Sequence, residues 1–227
     1  EMIEYVSAAN MYRRPRGAEN LSEAAYCDFL ADEFENRILQ LGPENVAAFI
    51  AEPIMGAGGV LVAPQGYHKR IHEVCKRYNM LYIADEVVTA FGRLGEMFAS
   101  ESIYGCTPDI ICIAKGLTSG YIPLGATLIS DDIYEVISKP QCDGGLLTHG
   151  FTYSGHPVAC AAALKNIEIL EQEKICDHVK EVGPYFFSQA QKLADLPIVG
   201  DVRGSHFMIG VELVADKTIK CSFDASV

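Results

Sequence analysis

The sequence predicts an α/β fold on a mostly parallel sheet, from three observations. Short apolar runs recur at Val46–Ala51, Leu81–Ala84, Ile110–Ala114 and Ala126–Ile129. Helix-period segments separate the runs or follow them. Three of the runs finish on a charged residue: Glu52, Asp85 and Lys115. Short continuous runs interleaved with helices mark parallel strands covered on both faces. Charged residues at the carboxyl ends of such strands would line one edge, where open α/β sheets bind ligands.

The elements follow in order. Residues 1–20 are mixed and carry a basic loop, Tyr12-Arg13-Arg14-Pro15-Arg16-Gly17. Ser22 caps a helix with Glu23 in its first turn. Tyr26, Phe29, Leu30, Phe34, Ile38 and Leu41 recur along it at helical spacing, and Gly42-Pro43 ends it. The first strand ends at Glu52-Pro53. A Gly-rich stretch leads to a helix from about Tyr67 to Tyr78, with Ile71, Val74 and Cys75 inward; Asn79 breaks it. The second strand ends at Asp85-Glu86, the third at Lys115-Gly116, and Ala126–Ile129 is the fourth. Beyond residue 155 the pattern is helical, from Val158 to Leu170 and from about Cys176 to Leu193. Pro197 and Gly200 punctuate. Phe207–Leu213 reads as a strand that opens a new unit, which stops soon after. The chain begins at Glu1 rather than Met, so it reads as a piece of a longer protein.

Composition narrows the function classes. Of 227 residues, 49% are hydrophobic and 21% charged, a globular balance. Eighteen basic and thirty acidic residues give a net charge of −12. Nucleic-acid backbones and anionic membranes need a basic face, so neither is an expected partner. No apolar run approaches the roughly 20 residues that span a bilayer, and no signal peptide opens the chain. The eight cysteines include no CxxC pair, and several sit inside apolar runs. They read as reduced, buried thiols of a cytoplasmic protein, and no metal site is expected.

Several familiar signals fail. Met80–Glu86 resembles the Mg²⁺-binding strand of a P-loop ATPase, but no GxxxxGK[ST] accompanies it. Gly56-Ala57-Gly58-Gly59 is a broken dinucleotide fingerprint, with Leu61 where the third glycine would fall. His68 and His72 lie four apart on a helix, but Lys69, Arg70, Glu73, Lys76 and Arg77 surround them, which predicts a solvated face.

The charged strand ends carry more. Lys115 follows five apolar residues and precedes Gly116-Leu117-Thr118-Ser119-Gly120. A lysine held against a sheet edge loses hydration, which favours the neutral, nucleophilic amine and Schiff-base chemistry with carbonyls. The alternative is a lysine that snorkels to water. Asp85 suits a cationic partner such as a protonated pyridine nitrogen, or else caps the segment that follows. His149-Gly150-Phe151-Thr152-Tyr153-Ser154-Gly155-His156-Pro157 has the glycines, hydroxyls and following helix of a phosphate site, or of a simple helix cap.

These residues together resemble the class III, pyridoxal-phosphate-dependent aminotransferases of fold type I. The matching stretches are Ala48–Pro53, Leu81–Arg93, Ile113–Gly116 and Thr148–Pro157. The resemblance implies the three-layer large domain of that fold over 1–195, without its N-terminal part. It also implies the start of a C-terminal α+β domain over 196–227. By the same resemblance, Lys115 carries pyridoxal 5′-phosphate as a Schiff base and Asp85 pairs with the pyridine nitrogen. Val87 packs on one face of the ring. Thr152 reaches the phosphate of the neighbouring subunit, which makes the site shared across a homodimer. Glu52 lies on the substrate side.

The implied reaction is transamination between a primary amine or ω-amino acid donor and a keto acid acceptor such as pyruvate. The closest subgroup uses β-alanine, taurine or polyamines. Two alternatives stay open: an aminomutase or racemase of the same fold, and a catalytically incomplete fragment.

Overall fold

The computed structural model describes residues 2–139, 147 and 149–224. Cys142, Thr148 and the chain's end residues Glu1 and Val227 lie outside them. Helix α1 (Glu23–Leu41) starts at Ser22, whose hydroxyl accepts from Ala25 N–H, and ends at Gly42, whose φ is 83°. Helix α2 (Tyr67–Arg77) follows the strands β1 (Ala48–Ala51), β2 (Ile54–Met55) and β3 (Leu61–Val62). The main sheet continues with β4 (Leu81–Asp85), β5 (Ile110–Ile113) and β6 (Ala126–Ile129), in the order β1-β4-β5-β6. β1, β4 and β5 run parallel, whereas β6 runs antiparallel to β5. The fourth apolar run is therefore the reversed strand of a mostly parallel sheet.

The register fixes which residues share a face. Phe49 pairs with Tyr82 and Ala84 with Ile111, so these four lie together. Tyr82 and Ala84 pack with Tyr26, Leu30, Phe34 and Ile38 of α1 and with Ile71, Val74 and Cys75 of α2. Ile113, on the same face as Ile111, packs with Leu117 and Ala163. Ala163 belongs to α5 (Pro157–Gln172), which follows α3 (Ala99–Ser102) and α4 (Asp131–Ile137). The patterning anticipates cover on both faces; among the described residues, the buried clusters gather on one. On the other, Ile50 is 60% and Leu81 36% exposed.

Helix α6 (Ile175–Gln191) leads to a hairpin of β7 (Val199–Ser205) and β8 (Met208–Leu213). Arg203 pins this hairpin to the turn between β2 and β3. Its Nε donates to Gly59 O at 2.9 Å, and its Nη1 pairs with Glu212 at 2.6 Å and Asp201 at 3.0 Å. The sequence gives no sign of β7, because its polar and glycine positions (Gly200, Asp201, Arg203, Gly204) break the apolar run.

Two expectations need correction. His68 and His72 are buried, 4% and 7% exposed, not on a solvated face. They share a helix face with Ile71 and Cys75, and that face packs on β4. His68 Nε2 lies 2.9 Å from Pro53 O, and its Nδ1 2.9 Å from Tyr82 Oη. A carbonyl only accepts, so Nε2 carries the proton and Tyr82 donates to Nδ1. The cysteines divide as well: Cys27, Cys75 and Cys106 are buried, Cys112, Cys160 and Cys176 partly so, and Cys221 is exposed. Among the described residues no cluster could hold a metal ion, and no helix is long and apolar enough to cross a membrane.

Candidate active site

Three of the five singled-out residues meet at one sheet edge. Asp85 is the last residue of β4, and Glu52 directly follows β1. Ala51 pairs with Ala84, which puts Glu52 and Asp85 side by side in the parallel register. Asp85 pairs with Cys112, and Lys115 stands three residues further along the same direction. Parallel strands lie about 4.8 Å apart and each residue spans at most about 3.6 Å, so the Asp85 and Lys115 Cα atoms are within about 16 Å.

Asp85 is half-buried. Val87 N–H donates to its Oδ1 at 3.1 Å, and its Oδ2 has no hydrogen bond among the described residues. The carboxylate lies on the Cys112 side of the sheet. Burial pushes the Cys112 thiol up, and the Asp85 charge adds to the shift. Val87 is half-buried beside it. Glu52 accepts from Gly56 N–H through Oε2 at 2.8 Å, which folds the loop back over the end of β1.

Lys115 opens a 3₁₀ turn, Lys115–Thr118, with its backbone at φ 37°. A non-glycine residue in this left-handed region costs on the order of 1–3 kcal/mol and persists only where its surroundings hold it. Two contacts hold the turn. Asn166 of α5 donates through Nδ2 to Gly116 O at 2.8 Å and Leu117 O at 3.2 Å, and accepts from Ser119 Oγ at 2.7 Å. Phe91 packs on Gly116 so closely that a Cβ there would lie 2.9 Å from Phe91 Cβ. The Lys115 side chain itself is exposed, so the described residues do not supply the dry surroundings anticipated for it.

Glu86 anchors the neighbouring loop and is missing from the sequence-derived set. It is fully buried and accepts from Thr89 Oγ1 and Ala99 N–H through Oε2, and from Ser100 N–H and Oγ through Oε1. Four donors solvate the carboxylate in place of water. Both ends of the 86–100 loop, which carries Val87 and Phe91, are thereby tied together. Only its adjacency to Asp85 hints at this in the sequence. Asn166 is likewise silent, apart from being a polar residue three positions after Ala163 on the packed face of α5.

Thr152 is exposed in a turn before α5. Ser154 Oγ accepts from Phe151 N–H at 3.0 Å, and α5 begins at Pro157 without a side-chain cap. The hydroxyls of this segment therefore do not serve the helix-cap alternative.

Fold and edge define a parallel α/β protein with lysine, aspartate and glutamate at the ligand-binding ends of adjacent strands. The chain belongs to the class-III aminotransferase family, whose sequence profile matches residues 5–226. It is 53% identical over 194 residues to the putrescine–pyruvate aminotransferase of Pseudomonas aeruginosa, covering 85% of this chain and 41% of that protein. It is 45% identical over 204 residues to the mitochondrial gamma-aminobutyrate transaminase 1 of Oryza sativa subsp. indica, covering 90% of this chain and 39% of that protein. Among solved structures, an (S)-enantioselective omega-transaminase from Thermomicrobium roseum superimposes with a TM-score of 0.90 at 43% identity. That match covers 97% of this chain and 48% of the other. A 4-fold mutant of the omega transaminase from Pseudomonas jessenii gives 0.91 at 44%, covering 97% and 48%. The chain spans less than half the length of these relatives.

The residues fit pyridoxal phosphate chemically. A carboxylate with one oxygen uncommitted suits a protonated ring nitrogen, and an exposed amine in the turn just past the adjacent strand suits an aldehyde.

Proposed function

We propose that the protein to which this chain belongs transfers an amino group from a primary amine or ω-amino acid to a keto acid such as pyruvate, using pyridoxal 5′-phosphate. Membership in the class-III family supports this reading, as do relatives named for putrescine, pyruvate and gamma-aminobutyrate. The observation that carries it is the placement of Asp85 and Lys115 on adjacent parallel strand ends at one edge.

When bound, the cofactor supplies the electron withdrawal that acidifies the substrate carbon. The chain supplies the rest. Lys115 Nζ is the residue that would hold the cofactor through its aldehyde, and as a free amine it would move the proton at the reacting substrate carbon. Asp85 Oδ2 would accept from the protonated ring nitrogen and so would keep the ring electron-poor. Val87 covers one ring face and excludes water there. Thr152 offers its hydroxyl to the phosphate in a second subunit, which makes a homodimer the working unit. Glu52 faces the substrate. Residues 1–195 form the cofactor-binding part, and 196–227 begin the next domain.

Asp85→Ala in the full-length protein tests this. Loss of one preorganised electrostatic partner costs about 10²–10³ in kcat. Alanine formation from pyruvate and an amine donor should fall by that factor. A near-normal rate, or product formed without any keto acid, would overturn the reading.

A further inference from the structure

The strained backbone of Lys115 needs a holder, and α5 provides one from fifty positions along the chain. We infer that Asn166 is a positioning residue for Lys115, an inference that rests on the function proposed above. Lys115 sits at φ 37° at the start of a one-turn helix whose last residue, Thr118, is followed by Ser119 at φ 49°. The turn has positive φ at both ends, and its own backbone bonds are Leu117 N–H to Ala114 O at 2.8 Å and the longer Ser119 N–H to Gly116 O at 3.2 Å. Asn166 spans it: both Nδ2 hydrogens go to consecutive carbonyls, Gly116 O and Leu117 O, and Oδ1 takes the Ser119 hydroxyl.

The clamp therefore grips Gly116, Leu117 and Ser119, three of the four residues that directly follow the lysine. Thr118 is buried, and its hydroxyl donates to Ile122 O at 2.7 Å, closing the other side of the loop. α5 is fixed against the sheet through Ala163 packed with Ile113 and Leu117. The helix thus transmits the position of the sheet to the turn, and the turn sets where the amine leaves the backbone. The strain is retained because relaxing φ of Lys115 would rotate Gly116 O away from Asn166. Side-chain packing around Lys115 contributes little, since the lysine is exposed.

The test uses the full-length protein and pyridoxal phosphate itself. Asn166→Asp keeps the size and the Ser119 hydrogen bond but turns an oxygen toward two carbonyls. Asn166→Ala removes the clamp. The readouts are the rate at which the visible absorbance of bound cofactor returns after apoprotein is mixed with pyridoxal phosphate, the melting temperature of the apoprotein, and kcat and KM for the amine. Small misplacements of a reacting group cost on the order of 10- to 100-fold. Both variants should lose that much in reconstitution rate and kcat. KM should stay within about threefold, and Asn166→Asp should be no better than Asn166→Ala.

If the variants lose melting temperature while folded molecules reconstitute and turn over like wild type, Asn166 is merely structural and the inference falls. Wild-type-like behaviour of Asn166→Asp in all readouts also overturns it. Wild-type protein that gains no visible band with pyridoxal phosphate overturns the proposed function, and this inference with it.

Discussion

Acid should destabilise this chain in part through the buried imidazole of His68. Burial lowers its pKa from 6.5 to about 4, only partly opposed by the hydrogen bond to Pro53. The unfolded chain takes up a proton near pH 6.5 that the folded chain refuses until about pH 4. The unfolded state therefore binds more protons in that window. Stability is complete above about pH 6.5 and is lost as pH falls toward 4. Each pH unit costs about 1.4 kcal/mol, so the full loss is about 3 kcal/mol, of which about 2 kcal/mol falls between pH 7 and pH 5.

The comparator is His68→Gln, which cannot titrate. His72, also lowered by burial, is present in both proteins, so its contribution cancels in the difference. Urea unfolding of both at pH 7 and pH 5 should show wild type losing about 2 kcal/mol more than the variant. Equal losses would refute both the neutral tautomer assigned to His68 and its anhydrous setting.

Further consequences concern packing and thiols. Gly116→Ala would set a new Cβ 2.9 Å from Phe91 Cβ and 3.2 Å from its ring. Phe91 Cβ is fixed by a backbone at φ 58° and cannot swing aside, so overpacking should cost about 1–3 kcal/mol, read as a lower melting temperature. An unchanged melting temperature would mean that the 86–100 loop yields more readily than this packing implies. Among the described thiols, Cys221 should react first with an alkylating probe at pH 8, because it is exposed. Cys75 and Cys106, pushed up by burial to about 12 and about 11, should react only after unfolding. Peptide mapping after brief labelling reads this, and early modification of Cys75 would contradict the packing of α2 on β4.

The sheet was legible because its strands are short and mostly apolar, and Glu52, Asp85 and Lys115 were legible because each marks the exit of such a run. β7 was hidden, because Arg203 pairs with Asp201 on its own strand and with Glu212 across the hairpin, so these charges need no apolar neighbours. The histidines of α2 misled because their flanking charges dominate the count. The periodicity of His68, Ile71, His72 and Cys75 was the better guide to the buried face. Asn166 and Glu86 act by side-chain hydrogen bonds to backbone groups brought close only by folding, and no local pattern encodes such a meeting. The dryness expected of Lys115 came from the strand before it, but the residue opens a turn beyond that strand and is exposed.

The central claim is a covalent bond between one lysine and one cofactor. Borohydride reduction of the full-length protein with pyridoxal phosphate, followed by intact mass and peptide mapping, measures it directly. The account predicts one reduced cofactor per chain, on the peptide that contains Lys115, and none in Lys115→Ala. No added mass, or a label on another lysine with Lys115 unmodified, would contradict it.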